Sequence, residues 1–216
     1  MPQFGEDMTN STTNNPNVPI VMHCTRMAGR AVIRVVGRCN DAQETCKLDL
    51  SDCQLMQIPD AVYHLMRNTV LQTCDLSTNA LTKIGPGLAK KFTEITELNL
   101  SHNKITTMSD QMSDLNQLRI LDLAHNSLPA MPPAIAKMPA LEVLDLSHNR
   151  IDNIDVNVLK NAPSLRMINL SENPLTLPCI AALRENFEVV EAPTDNARGL
   201  QVVFTSSEDD DDWKIE

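Results

Sequence analysis

Leu118–Leu128 reads LRILDLAHNSL, and Leu141–Ile151 reads LEVLDLSHNRI. Both follow the spacing L-x-x-L-x-L-x-x-N-x-L. Working outward, the same spacing fits Ile95–Ile105, Leu71–Leu81 and Leu165–Leu175, with a looser first copy at Thr45–Leu55. The second apolar anchor of each copy gives the series Leu48, Cys74, Leu98, Leu121, Leu144 and Ile168, in steps of 26, 24, 23, 23 and 24 residues. A recurrence at that period means an array of like supersecondary units, each too small to bury its apolar face alone.

Within each copy apolar and polar positions alternate, the pattern of a strand with one buried face. Successive copies are therefore predicted to stack as parallel strands about 4.8 Å apart. The Asn column (Asn79, Asn103, Asn126, Asn149, Asn173) turns the chain out of the strand. Its amide supplies donors and an acceptor for backbone groups that the turn leaves without partners. Cys53 takes this position in the first copy, where a thiol is a weaker substitute. Apolar residues then pave the return arm, as in Leu55, Ile58, Val62 and Leu65, or Leu128, Met131, Ile135 and Met138. Each such side chain contributes about 1.5–3 kcal/mol when buried.

The spacing resembles the leucine-rich repeat signature. It implies an α/β fold: a right-handed solenoid of six repeats over residues 45–177 with a parallel concave sheet and helical caps at both ends. Residues 26–39 (RMAGRAVIRVVGRC) are predicted to form a helix within an N-terminal cap over 25–44. Ala28, Ala31, Val32, Val35 and Cys39 form the face that covers the first repeat, while Arg26, Arg30, Arg34 and Arg38 line a solvated face opposite. A C-terminal cap over 178–204 begins with a helix at 178–187 (PCIAALRENF). Val189–Glu191 and Leu200–Phe204 are strand-prone; one pairs with the last open edge or stays free as a docking strand. Residues 1–24 read as a disordered extension and 205–216 as a disordered acidic tail.

Net charge is −10, unevenly placed. Residues 188–216 carry two basic and nine acidic side chains, residues 47–187 carry twelve and fifteen, and residues 1–46 four of each. The repeat body is thus nearly neutral, and no basic surface attracts nucleic acid. The N-terminus lacks the basic and apolar regions of a signal peptide, and no apolar run approaches the ~20 residues of a membrane span. The six cysteines, at 24, 39, 46, 53, 74 and 179, include two that the repeat pattern itself explains. Free thiols in a reducing compartment are expected, which places the protein in the cytosol or the nucleus.

Stacking turns the sequence into columns. Between the anchors run Asp49, Asp75, Asn99, Asp122, Asp145 and Asn169, read as facing solvent or a partner's basic groups. Two positions after the second anchor pair run Asp52, Thr78, His102, His125, His148 and Glu172, whose histidines read as the motif's common spelling rather than a metal or pH-sensing ladder. With no nucleophile, metal-spaced cluster or phosphate loop, no catalytic, metal or cofactor site is expected. One column stands out: Lys47, Thr73 and Glu97 give way to Ile120, Val143 and Met167, an outward apolar stripe on the concave face. Exposed apolar surface of this kind marks interaction sites. The predicted protein-binding site is therefore Ile120, Asp122, Val143, Asp145, Met167 and Asn169, rimmed by Arg119, Glu142 and Arg166. A monomer working as an interaction scaffold is expected. Ser206, Ser207 and the lone Trp213 make the tail a candidate short motif.

Ile58–Val62 (I-P-x-x-V) and Met131–Ile135 (M-P-x-x-I) resemble the intracellular leucine-rich repeat class that includes Ras-associated scaffolds. Thr45–Leu55 (T-x-x-L-D-L-x-x-C-x-L), Pro59–Asn68 and Ser164–Leu175 resemble a family of small animal repeat-only proteins. That resemblance implies protein binding without assigned chemistry. Two other roles are compatible with the sequence: a regulatory subunit in a phosphatase or small GTPase pathway, and an acidic-tail binder of basic nuclear proteins.

Overall fold

A computed structural model describes residues 18–190 and 199–204, with side chains from residue 32 onward. Each of the six repeats contributes one three-residue strand: β1 Lys47–Asp49, β2 Thr73–Asp75, β4 Glu97–Asn99, β6 Ile120–Asp122, β7 Val143–Asp145 and β8 Met167–Asn169. They pair in parallel and in step, so that Leu48, Cys74, Leu98, Leu121, Leu144 and Ile168 form one buried row. The winding is the right-handed solenoid that parallel crossover connections favour. The return arms are short and irregular. They hold α2 Asp60–Leu65, β3 Lys83–Ile84, α3 Gly87–Lys91, β5 Thr107–Met108, two 3₁₀ turns and α4 Val156–Lys160. Their apolar residues (Val62, Leu88, Met112, Ile135, Leu159) close a continuous core against the strand row.

The Asn column stitches each repeat to the one before it. Asn126 Nδ2 donates to the carbonyls of Leu100 (3.0 Å) and Leu123 (3.0 Å), while its Oδ1 accepts from the Ile105 amide at 2.9 Å. Asn103 and Asn149 repeat the pattern and are buried; Asn79 and Asn173 repeat it half-buried. Because every amide reaches backwards, the first repeat has no predecessor for an Asn to reach, and Cys53 fits there.

What replaces that Asn is the cap helix, α1 Val18–Thr45. Arg38 donates to the Ser51 carbonyl and, at 3.2 Å, to Asp49 Oδ1; Arg34 donates to the Asp52 carbonyl at 2.9 Å. Arg34 stays exposed and Arg38 half-buried, but where the sequence reading left both facing solvent alone, their guanidiniums bond to the first repeat. A guanidinium is long enough to reach turn carbonyls that the helix backbone itself cannot satisfy. Val35, Cys39 and Ala42 bury the expected apolar face, although Val32 stays exposed. The helix also runs further than 25–44: residues 18–24, expected to be disordered, form its first turns.

At the other end α5 spans Leu177–Asn186, and both strand-prone stretches join the sheet. β10 Gln201–Val203 pairs with β8, and β9 Glu188–Val190, earlier in the chain, pairs with the far side of β10. No free docking strand remains between them. The expected tail at 205–216, including Ser206, Ser207 and Trp213, lies outside the described residues, as do residues 1–17.

Candidate protein-interaction site

The concave face is built from the strand residues that flank each buried anchor. Ile120, Val143 and Met167 are Cα partners across β6, β7 and β8, so they form an unbroken outward apolar row as expected. Ile120 is 41% exposed; Val143 and Met167, shielded by neighbouring strands, are half-buried. The row stops at β10, where Gln201 and Val203 are 2% and 7% exposed, so the open concave surface ends with β8.

Beside the row, Arg119 and Glu142 clasp each other through two bonds, Nε–Oε1 and Nη2–Oε2, each 3.0 Å. The Arg119 hydrogen bonds hold the Glu142 carboxyl below its ordinary range. These two rim residues answer one another, and Arg166, exposed like Arg119, adds its charge to the pull on the Glu142 carboxyl.

The acidic column has a structural duty that the sequence reading assigned to a partner. Each member accepts from the backbone amide two residues on: Asp49 from Ser51 (2.9 Å), Asp75 from Ser77 (2.8 Å), Asn99 from Ser101 (3.0 Å), Asp122 from Ala124 (2.9 Å), Asp145 from Ser147 (2.8 Å) and Asn169 from Ser171 (3.1 Å). This is the Asx turn that Asp and Asn form readily, which explains why only those two residues occupy the column. Asn169 Nδ2 also donates to Asp145 Oδ2 at 3.0 Å. Of the predicted Asp122, Asp145 and Asn169, Asp122 keeps the freest carboxylate. Burial, opposed by the Ala124 amide and aided by Asp145, raises its pKa.

Asp122 also borders a hollow that sequence reasoning missed. Thr73, Asp75, Glu97, Asn99, Ile120 and Asp122 surround an open depression of about 320 Å³ on the N-terminal half of the concave face. The signal was present in the column Lys47, Thr73, Glu97, which the apolar stripe overshadowed.

The histidines stack. Ring centroids of His102 and His125 lie 4.1 Å apart at 12°, and those of His125 and His148 lie 4.0 Å apart at 11°. Desolvation first, then His148 and His102, push the His125 pKa down. The column is set by the backbone: Asp52, Thr78, His102, His125, His148 and Glu172 all have φ between 48 and 56°. Asp and His are among the residues that tolerate the left-handed region, whereas β-branched Thr78 is an outlier there. Among the described residues no group of three His, Cys, Asp or Glu is arranged to hold a metal ion.

A parallel-sheet solenoid with an open, side-chain-lined inner face defines a repeat protein. The Leucine rich repeat family model matches residues 69–128 and 131–175. Mouse leucine-rich repeat-containing protein 20 is 42% identical over 176 residues, which span 79% of this chain and 96% of that protein. The human protein of the same name is 32% identical over 95 residues, 42% of this chain and 52% of that protein. A solved leucine-rich repeat protein from Leptospira interrogans superposes with a TM-score of 0.55 at 25% identity, covering 71% of this chain and 37% of that one. The chain belongs to the leucine-rich repeat-containing protein 20 family. Repeats of this class typically serve protein–protein interaction, and no enzyme family is indicated.

Proposed function

We propose that the chain is a non-enzymatic scaffold that binds a protein partner on its concave face, across β6, β7 and β8. The carrying observation is the row Ile120–Val143–Met167, apolar, in register and open, beside a depression lined by Asp75, Glu97 and Asp122. Apolar contact supplies the affinity of such a surface, and the flanking charges orient the partner. The reducing cytosol or nucleus is the proposed setting. Its support is that Cys39, Cys46, Cys53, Cys74 and Cys179 are free and four of them are buried. Burial also raises the pKa of Cys39, Cys53 and Cys74, which keeps these thiols unreactive.

The test replaces Ile120, Val143 and Met167 together by Glu and compares partners captured by this variant and by wild type. Loss of the wild-type partners, with the circular dichroism spectrum and unfolding midpoint retained, supports the concave face. Retention of every partner by a folded triple variant refutes it.

A further inference from the structure

His102, His125 and His148 are exposed, yet each spends a ring face on its neighbour. The backbone sets this up. All three sit at φ of 53 or 54°, so their side chains leave the chain in step. Each amide donates to the carbonyl of the residue before the next member of the column. His102 donates to Ala124 (2.9 Å), His125 to Ser147 (3.0 Å) and His148 to Ser171 (2.9 Å). The rungs are thereby clasped, and the rings meet at 4.1 and 4.0 Å with tilts of 12° and 11°. In sequence the three read as the motif's common spelling; ring-on-ring contact is what spacing does not show.

Neutral imidazoles in face contact attract weakly, so the stack is at ease without protons. A single imidazolium over a neutral ring is also attracted, as a cation over an aromatic face is. Two protons can be kept apart on the outer rings, with His125 neutral between them. A third must fall on His125, in contact with a cation on either side. Like charges at about 4 Å lower one another's proton affinity about fivefold even in water, and His125 would meet that penalty twice. Asp122 and Asp145 pull the other way, and Glu172 stands one rung beyond His148. Burial and the two histidines outweigh those carboxylates, and the His125 pKa is lowered. Because the amide clasps hold the rungs together, crowded charge is relieved by turning side chains and not by parting strands. All three rings have solvent to turn into.

We propose that the stack is a proton-operated switch beside the concave face, shut while His125 is neutral and thrown open when His125 takes a proton. Shut, it is a flat aromatic ledge next to the Asp122 and Asp145 carboxylates; open, it is a cationic fringe at the same edge. The closed form is fully present above about pH 6.5, where a free histidine titrates, and is lost as pH falls through the lower value of His125. Ile120, Val143 and Met167 take no part in the stack, so this inference stands or falls separately from the binding row.

Proton NMR of the full chain from about pH 8 to about pH 4 is the test, because it follows each imidazole's titration and the ring-current shift its neighbour imposes. Wild type is expected to protonate His125 last. The ring-current shifts of all three should survive the earlier protons and collapse together at that step, while the amide signals of β4, β6 and β7 stay in place. His125→Phe keeps a ring and removes the proton site, so it should hold the shifts on His102 and His148 to the lowest pH. His125→Gln, free of the added bulk, should abolish those shifts at every pH. His125 titrating with or ahead of its neighbours overturns the proposal. So do shifts lost with the first proton, shifts that outlast protonation of His125, or a collapse that persists in folded His125→Phe.

Discussion

Replacing Arg38 by Met removes the group that stands in for the missing first rung of the Asn ladder. Arg38 donates to the Ser51 carbonyl and to Asp49 Oδ1 at 3.2 Å, and its Nη1 lies 3.5 Å from Cys53 Sγ. A hydrogen bond from a charged donor contributes about 1.5–3 kcal/mol. The pair with Asp49 adds little, since that carboxylate is 62% exposed and surface pairs contribute about 0–1 kcal/mol. Met keeps the apolar stem on the repeat, so a loss of about 2 kcal/mol is expected, taking the lower half of the charged-bond range for a residue only partly shielded. Cys53→Asn alone should help little, because the new amide would compete with the guanidinium for the same carbonyls. In the Arg38→Met background, however, the amide becomes the ladder's first rung and should recover about 1 kcal/mol. Urea unfolding of the four chains followed by circular dichroism gives the cycle, and hydrogen exchange locates the effect in the first repeat. A loss under about 0.5 kcal/mol for Arg38→Met, or strict additivity in the double variant, would refute the idea that helix and ladder share one job.

Asn126→Ala strips a buried amide partner and three carbonyl partners at once, and should lower stability by about 3 kcal/mol in urea melts. Asp122→Asn keeps the turn oxygen and removes a carboxylate that burial disfavours. It should raise the urea midpoint at neutral pH. Because a raised acid is penalised above its unfolded pKa and relieved as it protonates, the gain should vanish on acidification into the carboxylate range. His125, with its pKa depressed, should titrate below an ordinary histidine by NMR, and His102→Gln with His148→Gln should move it back up.

The period in Thr45–Leu175 made six strands and their register legible, since each anchor proved to be the buried centre of its strand. The Asn column was equally plain, but the direction of its bonds was not, so Cys53 read as a weak substitute and not as the mark of an open end. The orientation of Arg34 and Arg38 was hidden because a helical wheel orders faces without saying what lies beyond them. Asp122, Asp145 and Asn169 were assigned to a partner when half of each side chain closes its own turn; spacing alone does not separate an Asx turn from an outward ligand. The insertion of β10 between β8 and β9 is a non-local pairing that local pattern does not encode.

That insertion orders events during synthesis. Repeats can settle one upon another as they leave the ribosome, yet Glu188–Val190 emerges before the segment it needs as a neighbour. Until Gln201–Val203 arrives and slides in between, the backbone of Met167–Asn169 offers an unzipped margin to whatever is nearby. A chaperone or a stray strand that lodges there would be competing with a piece of the protein that has yet to be made.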